Sequence, residues 1–279
     1  MTDLSRPQDA AVFQGGRDAS WEVLRTGCGL FALYSEPAPD KETANEDSAA
    51  LIPLGRDGAV IAVADGLGGG RGGEQASQTV IVSLKSSLEK AYPGNGSMRA
   101  AILDGIEHAN AAILERGIGS ASTLVAAEIH EHSVRPYHIG DSQILIVGQR
   151  GQMKLQTVAH SPTGFAVEAG LLDENDAIHH QDRHFVSNVI GAPDMRIEVG
   201  TAVPLAERDT VLLASDGLFD NLQMDEIVDC IRMGPIERAG EKLAHSAKER
   251  MGDPQDGLPS HPDDLTFILF RRHSPTKKT

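Results

Sequence analysis

The sequence predicts an α+β fold in which antiparallel sheets are covered by pairs of helices. Three observations carry this. The elements read as strands, two helices, a strand-rich middle, two helices and a closing strand, unlike the βαβ alternation of a parallel sheet. Two runs, 59–64 and 211–214, are continuously apolar, the mark of strands buried on both faces. No linker, internal repeat or low-complexity segment divides the chain.

Each element has its own signal. Residues 1–20 are polar and read as a flexible leader. Trp21 to Tyr34 reads as one or two strands interrupted near Gly27-Cys28-Gly29, and the proline- and charge-rich 36–43 as a loop. A strand over 49–54 precedes the buried run 59–64, which stops at Asp65-Gly66. The glycine-rich loop 66–73 leads into a helix with Ala76, Val80, Ile81, Leu84 and Leu88 at helical spacing. Pro93 to Gly96 breaks the chain, and Ser97 can cap a second helix whose apolar positions include Ala101, Ile102, Ile106, Ala109 and Ile113. Strands are expected over 123–129, 133–139 and 144–147, with a tight turn at Gly140-Asp141-Ser142. The mixed segment at about 160–195 reads as a flap inserted into a single domain spanning 21–273, with 274–279 a tail. The run 211–214 stops at Asp216-Gly217, two helices fill 224–250, and a strand over 265–270 closes the domain.

Composition bounds the function. The chain has 279 residues, enough for a full hydrophobic core, with 40% apolar and 23% charged. Forty acids against 25 bases give a formal net charge of −15, which repels nucleic acid and anionic membrane. Cys28 and Cys230 form no metal-type spacing and fit free thiols in a reducing cytoplasm. Neither a signal-peptide core nor an apolar run of membrane length occurs. The expected location is cytoplasmic, with no nucleic-acid or membrane partner.

The chemistry concentrates in carboxylates at strand ends. Val63-Ala64-Asp65-Gly66 and Ala214-Ser215-Asp216-Gly217 repeat one pattern, a buried strand running into Asp-Gly. The sheet fixes such a carboxylate, and the glycine lets the backbone turn so that its carbonyl can face the same point. Glu46 and Asp47 precede a strand, Asp141 sits between two strands, and Asp263 and Asp264 precede the last. Carboxylates gathered along one sheet edge repel one another unless a cation neutralises them. Hard ions such as Mg²⁺ and Mn²⁺ prefer these oxygen donors. A rival reading takes Gly68-x-Gly70-x-x-Gly73 as a dinucleotide-binding turn. A second helix follows the first where a parallel strand should return, and Asp65 would face the pyrophosphate, so that reading is set aside. Ser122, Ser142 and Ser215 lie in no nucleophile elbow and read as structural. His179, His180, His184 and His261 read as surface or flap residues.

As an ordered set these residues resemble the PPM, or type 2C, metal-dependent serine/threonine protein phosphatases, bacterial members above all. The set is Asn45-Glu46-Asp47, Val63 to Gly69 with Gly73-Glu74-x-Ala76-Ser77, Gly119-Ser120, Ile139-Gly140-Asp141-Ser142, Leu213 to Leu218 and Asp263-Asp264-Leu265-Thr266. The resemblance spans about 20–272. It implies a four-layer α/β/β/α sandwich of two antiparallel sheets flanked by helix pairs. It implies two Mn²⁺ or Mg²⁺ ions bridged by Asp65. Asp216 and Asp263 would hold the first, and the Gly66 carbonyl, with Glu46 through water, the second. Asp47 would hydrogen-bond water in the site, and Asp141 with Asp216 would hold a possible third ion. The implied reaction is hydrolysis of phosphoserine and phosphothreonine on proteins by a hydroxide bridging the two ions. The implied partners are phosphorylated proteins, including those of a cognate Ser/Thr kinase. The alternative is a non-catalytic relative that binds a partner, which should have lost metal ligands.

Three positions depart from the family pattern. Glu42 stands where relatives often carry a phosphate-gripping arginine, leaving phosphate to the metals, to Lys41 or to Arg71. Leu67 replaces the histidine that some members use as a general acid. Asp264 replaces the usual asparagine after the last metal-binding aspartate, adding a charge.

Overall fold

Alternation along the strands sorts the apolar side chains into three layers, and the same strands fix where the acids meet. The structure is a computed structural model that describes residues 3–68, 71–92, 94 and 96–272. One sheet runs in the order β1 (Asp3–Leu4), β3 (Ser20–Thr26), β4 (Gly29–Glu36), β16 (Leu265–Arg272), β15 (Thr210–Ala214), β11 (Gln143–Val147), β12 (Met153–Gln156). The other runs β13 (Glu198–Val199), β10 (Ser133–Ile139), β9 (Leu124–His130), β6 (Gly58–Ala64), β5 (Ser48–Pro53), β2 (Ala11–Gln14), with β14 (Val203–Pro204) also on β10. Neighbours within both sheets are antiparallel except β1 and β3. A two-strand ladder joins β7 (Gly66–Leu67) to β8 (Ala121–Ser122).

Between the sheets lie Phe31 and Leu33 of β4, Ala59, Ile61 and Val63 of β6, and Val211 and Leu213 of β15. The intervening residues face outward and are buried too. Val60, Ala62 and Ala64 of β6 pack under α1 (Arg71–Ala91) and α2 (Met98–Arg116). Ala32, Leu212 and Ala214 pack under α6 (Met224–Ile231) and α7 (Ile236–Gly252). Central strands are therefore covered on both faces, which is why antiparallel strands here read as unbroken apolar runs. The result is a four-layer α/β/β/α sandwich. Ser97 caps α2 by accepting a hydrogen bond from the Ala100 backbone N–H, and Gly117 ends that helix in the left-handed region. The segment leaving β12 carries α3 (Pro162–Glu168) and α4 (Glu174–Ile178) before it returns at β13.

The expected leader is different. Residues 3–14 are built into the sheets: β1 lies along β3, Pro7–Asp9 form a 3-10 turn, and β2 pairs with β5, setting Phe13 opposite Ala49. Leu4 and Phe13 are buried in the layer between the sheets. Both pairings are remote in sequence, and the segment is otherwise polar, so no local period marked it. Among the described residues no helix is long and apolar enough to cross a membrane.

Candidate metal centre at the strand ends

Register brings the acids to one edge. Ser48 at the start of β5 pairs with Ala64 at the end of β6, so Glu46 and Asp47 lie beside Asp65. In the other sheet Ala214 pairs with both Gln143 and Phe267. Asp216 beyond β15, Asp141 before β11 and Asp263 before β16 therefore share an edge. Asp216 itself opens a one-turn helix, α5 (Asp216–Phe219), rather than a turn.

Hydrogen bonds hold the backbone under these side chains. The Asp65 N–H donates to Thr123 Oγ1 at 3.0 Å, and the Asp65 carbonyl accepts from the Thr123 N–H at 2.8 Å and from Ser122 Oγ at 2.9 Å. Ser142 Oγ lies 2.7 Å from Thr123 Oγ1. Ser215 Oγ donates to Asp47 Oδ2 at 2.8 Å, so all three serines set aside as nucleophiles support the acids. Gly66 is needed for close approach: a Cβ there would lie 2.1 Å from the Gly73 carbonyl oxygen and 2.7 Å from that of Glu46. Gly73 is equally confined, with Glu46 Oε1 2.5 Å from its Cβ position.

The electrostatics of the bare edge are unfavourable. Burial pushes the carboxyls of Asp47, Asp65 and Asp216 well above the usual carboxylate range, and neighbouring carboxylates push them further. Asp141 is pushed up to about 7, by burial first and by Asp220 next. Asp263 is raised by burial and then, against a backbone bond, by Asp264. Three buried oxygens, Glu46 Oε1, Asp47 Oδ1 and Asp141 Oδ1, have no hydrogen-bond partner. A fold that gathers buried carboxylates and leaves oxygens unpaired offers a hard cation the donors it needs. The residues present fit divalent metal ions.

The sequence profile described as protein phosphatase 2C matches residues 39–251. The chain belongs to the protein phosphatase 2C family. It is 27% identical over 238 residues to a Listeria welshimeri serine/threonine phosphatase stp, covering 82% of this chain and 90% of that one. The solved S. agalactiae serine/threonine phosphatase superposes with a TM-score of 0.73 at 26% identity, covering 91% of this chain and 99% of the other. The Mycobacterium tuberculosis serine/threonine phosphatase PstP/Ppp gives a TM-score of 0.72 at 25% identity, with 91% and 100% covered.

Within this family framework, the phosphate-gripping candidates sit differently from expectation. Lys41 Nζ is 2.6 Å from Asp264 Oδ2 and 3.0 Å from Glu46 Oε2, so two carboxylates already engage it. The Arg71 side chain lies outside the described residues. Asp220 was not singled out from sequence, although it follows Asp216 by one helical turn. Burial raises its carboxyl to about 6, against the pull of Arg183, whose Nε donates to Asp220 Oδ2 at 3.0 Å. Arg183 belongs to the segment between β12 and β13. A cavity of about 600 Å³ opens between that segment and α5–α6, reaching Asp141 and Asp216.

A second cluster, His138, His160 and Glu198, also escaped the sequence reading. Its possible ligand atoms lie within 4.8 Å of one another. His160 Nδ1 accepts from the Gly140 N–H at 3.1 Å and from Asn188 Nδ2 at 3.0 Å, so Nε2 carries the proton and donates to Glu198 Oε2 at 3.0 Å. That tautomer has no lone pair free for a metal. The cluster is a hydrogen-bonded root for the segment between β12 and β13. His138, its ring tilted against that of His160, stays neutral: burial, then His160, push its pKa down to about 3.

Proposed function

We propose that this chain hydrolyses phosphoserine and phosphothreonine esters on proteins with two divalent metal ions, Mn²⁺ or Mg²⁺. The observation that carries the reading is the edge of buried carboxylates with three unpartnered oxygens. Asp65 would bridge two ions, Asp216 and Asp263 would hold one, and Gly66 and Glu46 the other; Asp141 with Asp216 offers a possible third position. Ions bound there supply a deprotonated water near neutral pH and offset charge on the phosphoryl oxygens. Asp47, fixed through Oδ2, keeps Oδ1 free to accept from water in the site. With Lys41 engaged by two carboxylates, the grip on phosphate would fall to the ions or to Arg71. Hydrolysis adds the water oxygen to phosphorus and breaks the bond to the serine or threonine oxygen. Leu67 offers no proton, so that oxygen takes one from water. The cavity beside Asp141 and Asp216 gives the substrate chain room.

Phosphoproteins, including those of a cognate Ser/Thr kinase, are the proposed substrates. The proposed location is cytoplasmic, in keeping with two free, buried cysteines. A non-catalytic, partner-binding reading would need lost ligands, and the acids are all present. The test is turnover of a phosphothreonine peptide with Mn²⁺, Mg²⁺ or EDTA, beside Asp216→Asn. Turnover should require metal and collapse in the variant. Folded protein inactive with every metal would favour the non-catalytic reading.

A further inference from the structure

We propose that Lys41 is a positioning residue for the metal centre: by bridging Asp264 and Glu46, it neutralises Asp264 and sets the Glu46 carboxylate against the acidic edge. The inference rests on the metal-dependent reading above. It assigns Lys41 a different task from gripping phosphate.

The geometry is that of a tie between two chain segments. Asp264 Oδ1 accepts from the Ala38 N–H at 2.8 Å, and Oδ2 accepts from the Glu46 N–H at 2.7 Å and from Lys41 Nζ at 2.6 Å. Lys41 Nζ then reaches Glu46 Oε2 at 3.0 Å. The loop between β4 and β5 is thereby bound to the residue that precedes β16, and the Asp264 N–H donates to Asp263 Oδ1 at 2.7 Å. One cluster thus orients two expected metal ligands, Glu46 and Asp263.

Glu46 spends one oxygen on Lys41. Its other oxygen, Oε1, is buried without a partner beside Gly73, whose backbone packs on Gly66. The carboxylate is therefore aimed at the Gly66 end of the site by the bond its other oxygen makes. Losing Lys41 would leave the Asp264 carboxylate, whose side chain is only 4% exposed, as an uncompensated buried charge. Lys41 Nζ lies within hydrogen-bond distance of both carboxylates, so one ammonium serves Asp264 and Glu46 together. Asp264, joined to Asp263 through its backbone N–H, adds a negative charge beside the acidic edge. Lys41 supplies the matching positive charge.

The experiment measures Mn²⁺ affinity calorimetrically for wild type, Lys41→Met, Asp264→Asn and the double variant, with thermal melts and phosphopeptide kinetics on each. Lys41→Met should bind Mn²⁺ about 10- to 100-fold more weakly, the range for losing a group that orients a ligand. The peptide KM at saturating Mn²⁺ should stay near wild type. The double variant should bind at least about 5-fold better than the product of the two single losses, because the unmatched carboxylate has gone. If Lys41→Met fails to fold, the charge-balanced double variant must fold and bind. Unchanged Mn²⁺ affinity with a raised KM would overturn the proposal in favour of a phosphate grip. Multiplicative losses in the double variant would overturn it too. Wild type that binds Mn²⁺ without turning over phosphopeptide would defeat the phosphatase reading alone, leaving the affinity cycle intact as the test.

Discussion

Ser215 Oγ donates to Asp47 Oδ2 at 2.8 Å, and this bond joins the two sheets at the edge where the acids meet. Ser215 follows β15 in one sheet, and Asp47 precedes β5 in the other. The same hydroxyl oxygen accepts from the Thr266 N–H at 3.2 Å. Ser215→Ala should therefore strand two buried groups at once, at a cost of about 1–3 kcal/mol. The bond also lowers the Asp47 pKa, so its loss should raise that carboxyl further and weaken Mn²⁺ binding. Urea denaturation in EDTA and a Mn²⁺ titration measure both effects. An unchanged midpoint with unchanged affinity would show that the bond does not organise the site.

Metal-free protein should lose stability as pH rises. Asp47, Asp65, Asp141, Asp216, Asp220 and Asp263 all have folded pKa values above the unfolded ones. Between the unfolded carboxylate value, near 4, and the folded value, about 7 for Asp141, the folded state holds more protons. Each such group then removes about 1.4 kcal/mol per pH unit. His138 and His261, whose pKa values are lowered, act oppositely but only below the ordinary imidazole range. In EDTA the Tm should fall from pH 5 to pH 8, and Mn²⁺ should raise it more at pH 8 than at pH 5. A Tm that rises across this range in EDTA would contradict the buried, mutually repelling carboxylates.

Gly66→Ala should damage the site without touching a carboxylate. Its Cβ would meet the Gly73 carbonyl oxygen at 2.1 Å, and backbone cannot step aside as a side-chain tip can. Forcing Gly66, Gly73 and Glu46 apart should cost about 3 kcal/mol and weaken Mn²⁺ binding. Melts and metal titration of the variant check this, and a near-normal Tm would mean that the three segments are not packed as described.

The edge was legible because each acid follows or precedes a buried apolar run, a local signal that places its own strand end. Ala59 to Ala64 and Val211 to Ala214 needed no partner to be read as strands. What stayed hidden depends on contacts remote in sequence. Lys41 and Asp264 are 223 residues apart, and nothing near Lys41 indicates which carboxylate it meets. His138 faces Glu198 only because β13 pairs with β10. Residues 3–14 look like a leader until β5 and β3 supply the pairing that buries Leu4 and Phe13.

Asp65→Asn should separate stability from activity. The side chain is buried, and its charge is opposed by Asp47, Asp141 and Asp263. Removing that charge relieves repulsion, so the variant in EDTA at pH 8 should melt higher than wild type. Metal-dependent phosphopeptide turnover should vanish, since the proposed bridging ligand is gone. A variant that melts lower in EDTA, or that still turns over, would argue against a bridging role for Asp65.

The root of the segment between β12 and β13 should be as fragile as His160 makes it. His160 accepts from the Gly140 N–H and from Asn188, donates to Glu198, and its backbone carbonyl accepts from both the Ser187 N–H and Ser187 Oγ at 2.8 Å. Side-chain truncation removes the first three bonds and leaves the Gly140 N–H buried without an acceptor, at a cost of about 1–3 kcal/mol. The loss falls where the segment meets the sheet, beside Asp141, rather than in the three apolar layers. His160→Ala should therefore release residues between β12 and β13 to limited proteolysis while the sheets stay protected from hydrogen exchange. Mn²⁺ binding at the proposed site of Asp65, Asp216 and Asp263 should persist, and peptide KM should rise as the cavity wall loosens. Cleavage spread evenly over the chain would instead mean that His160 supports the whole core.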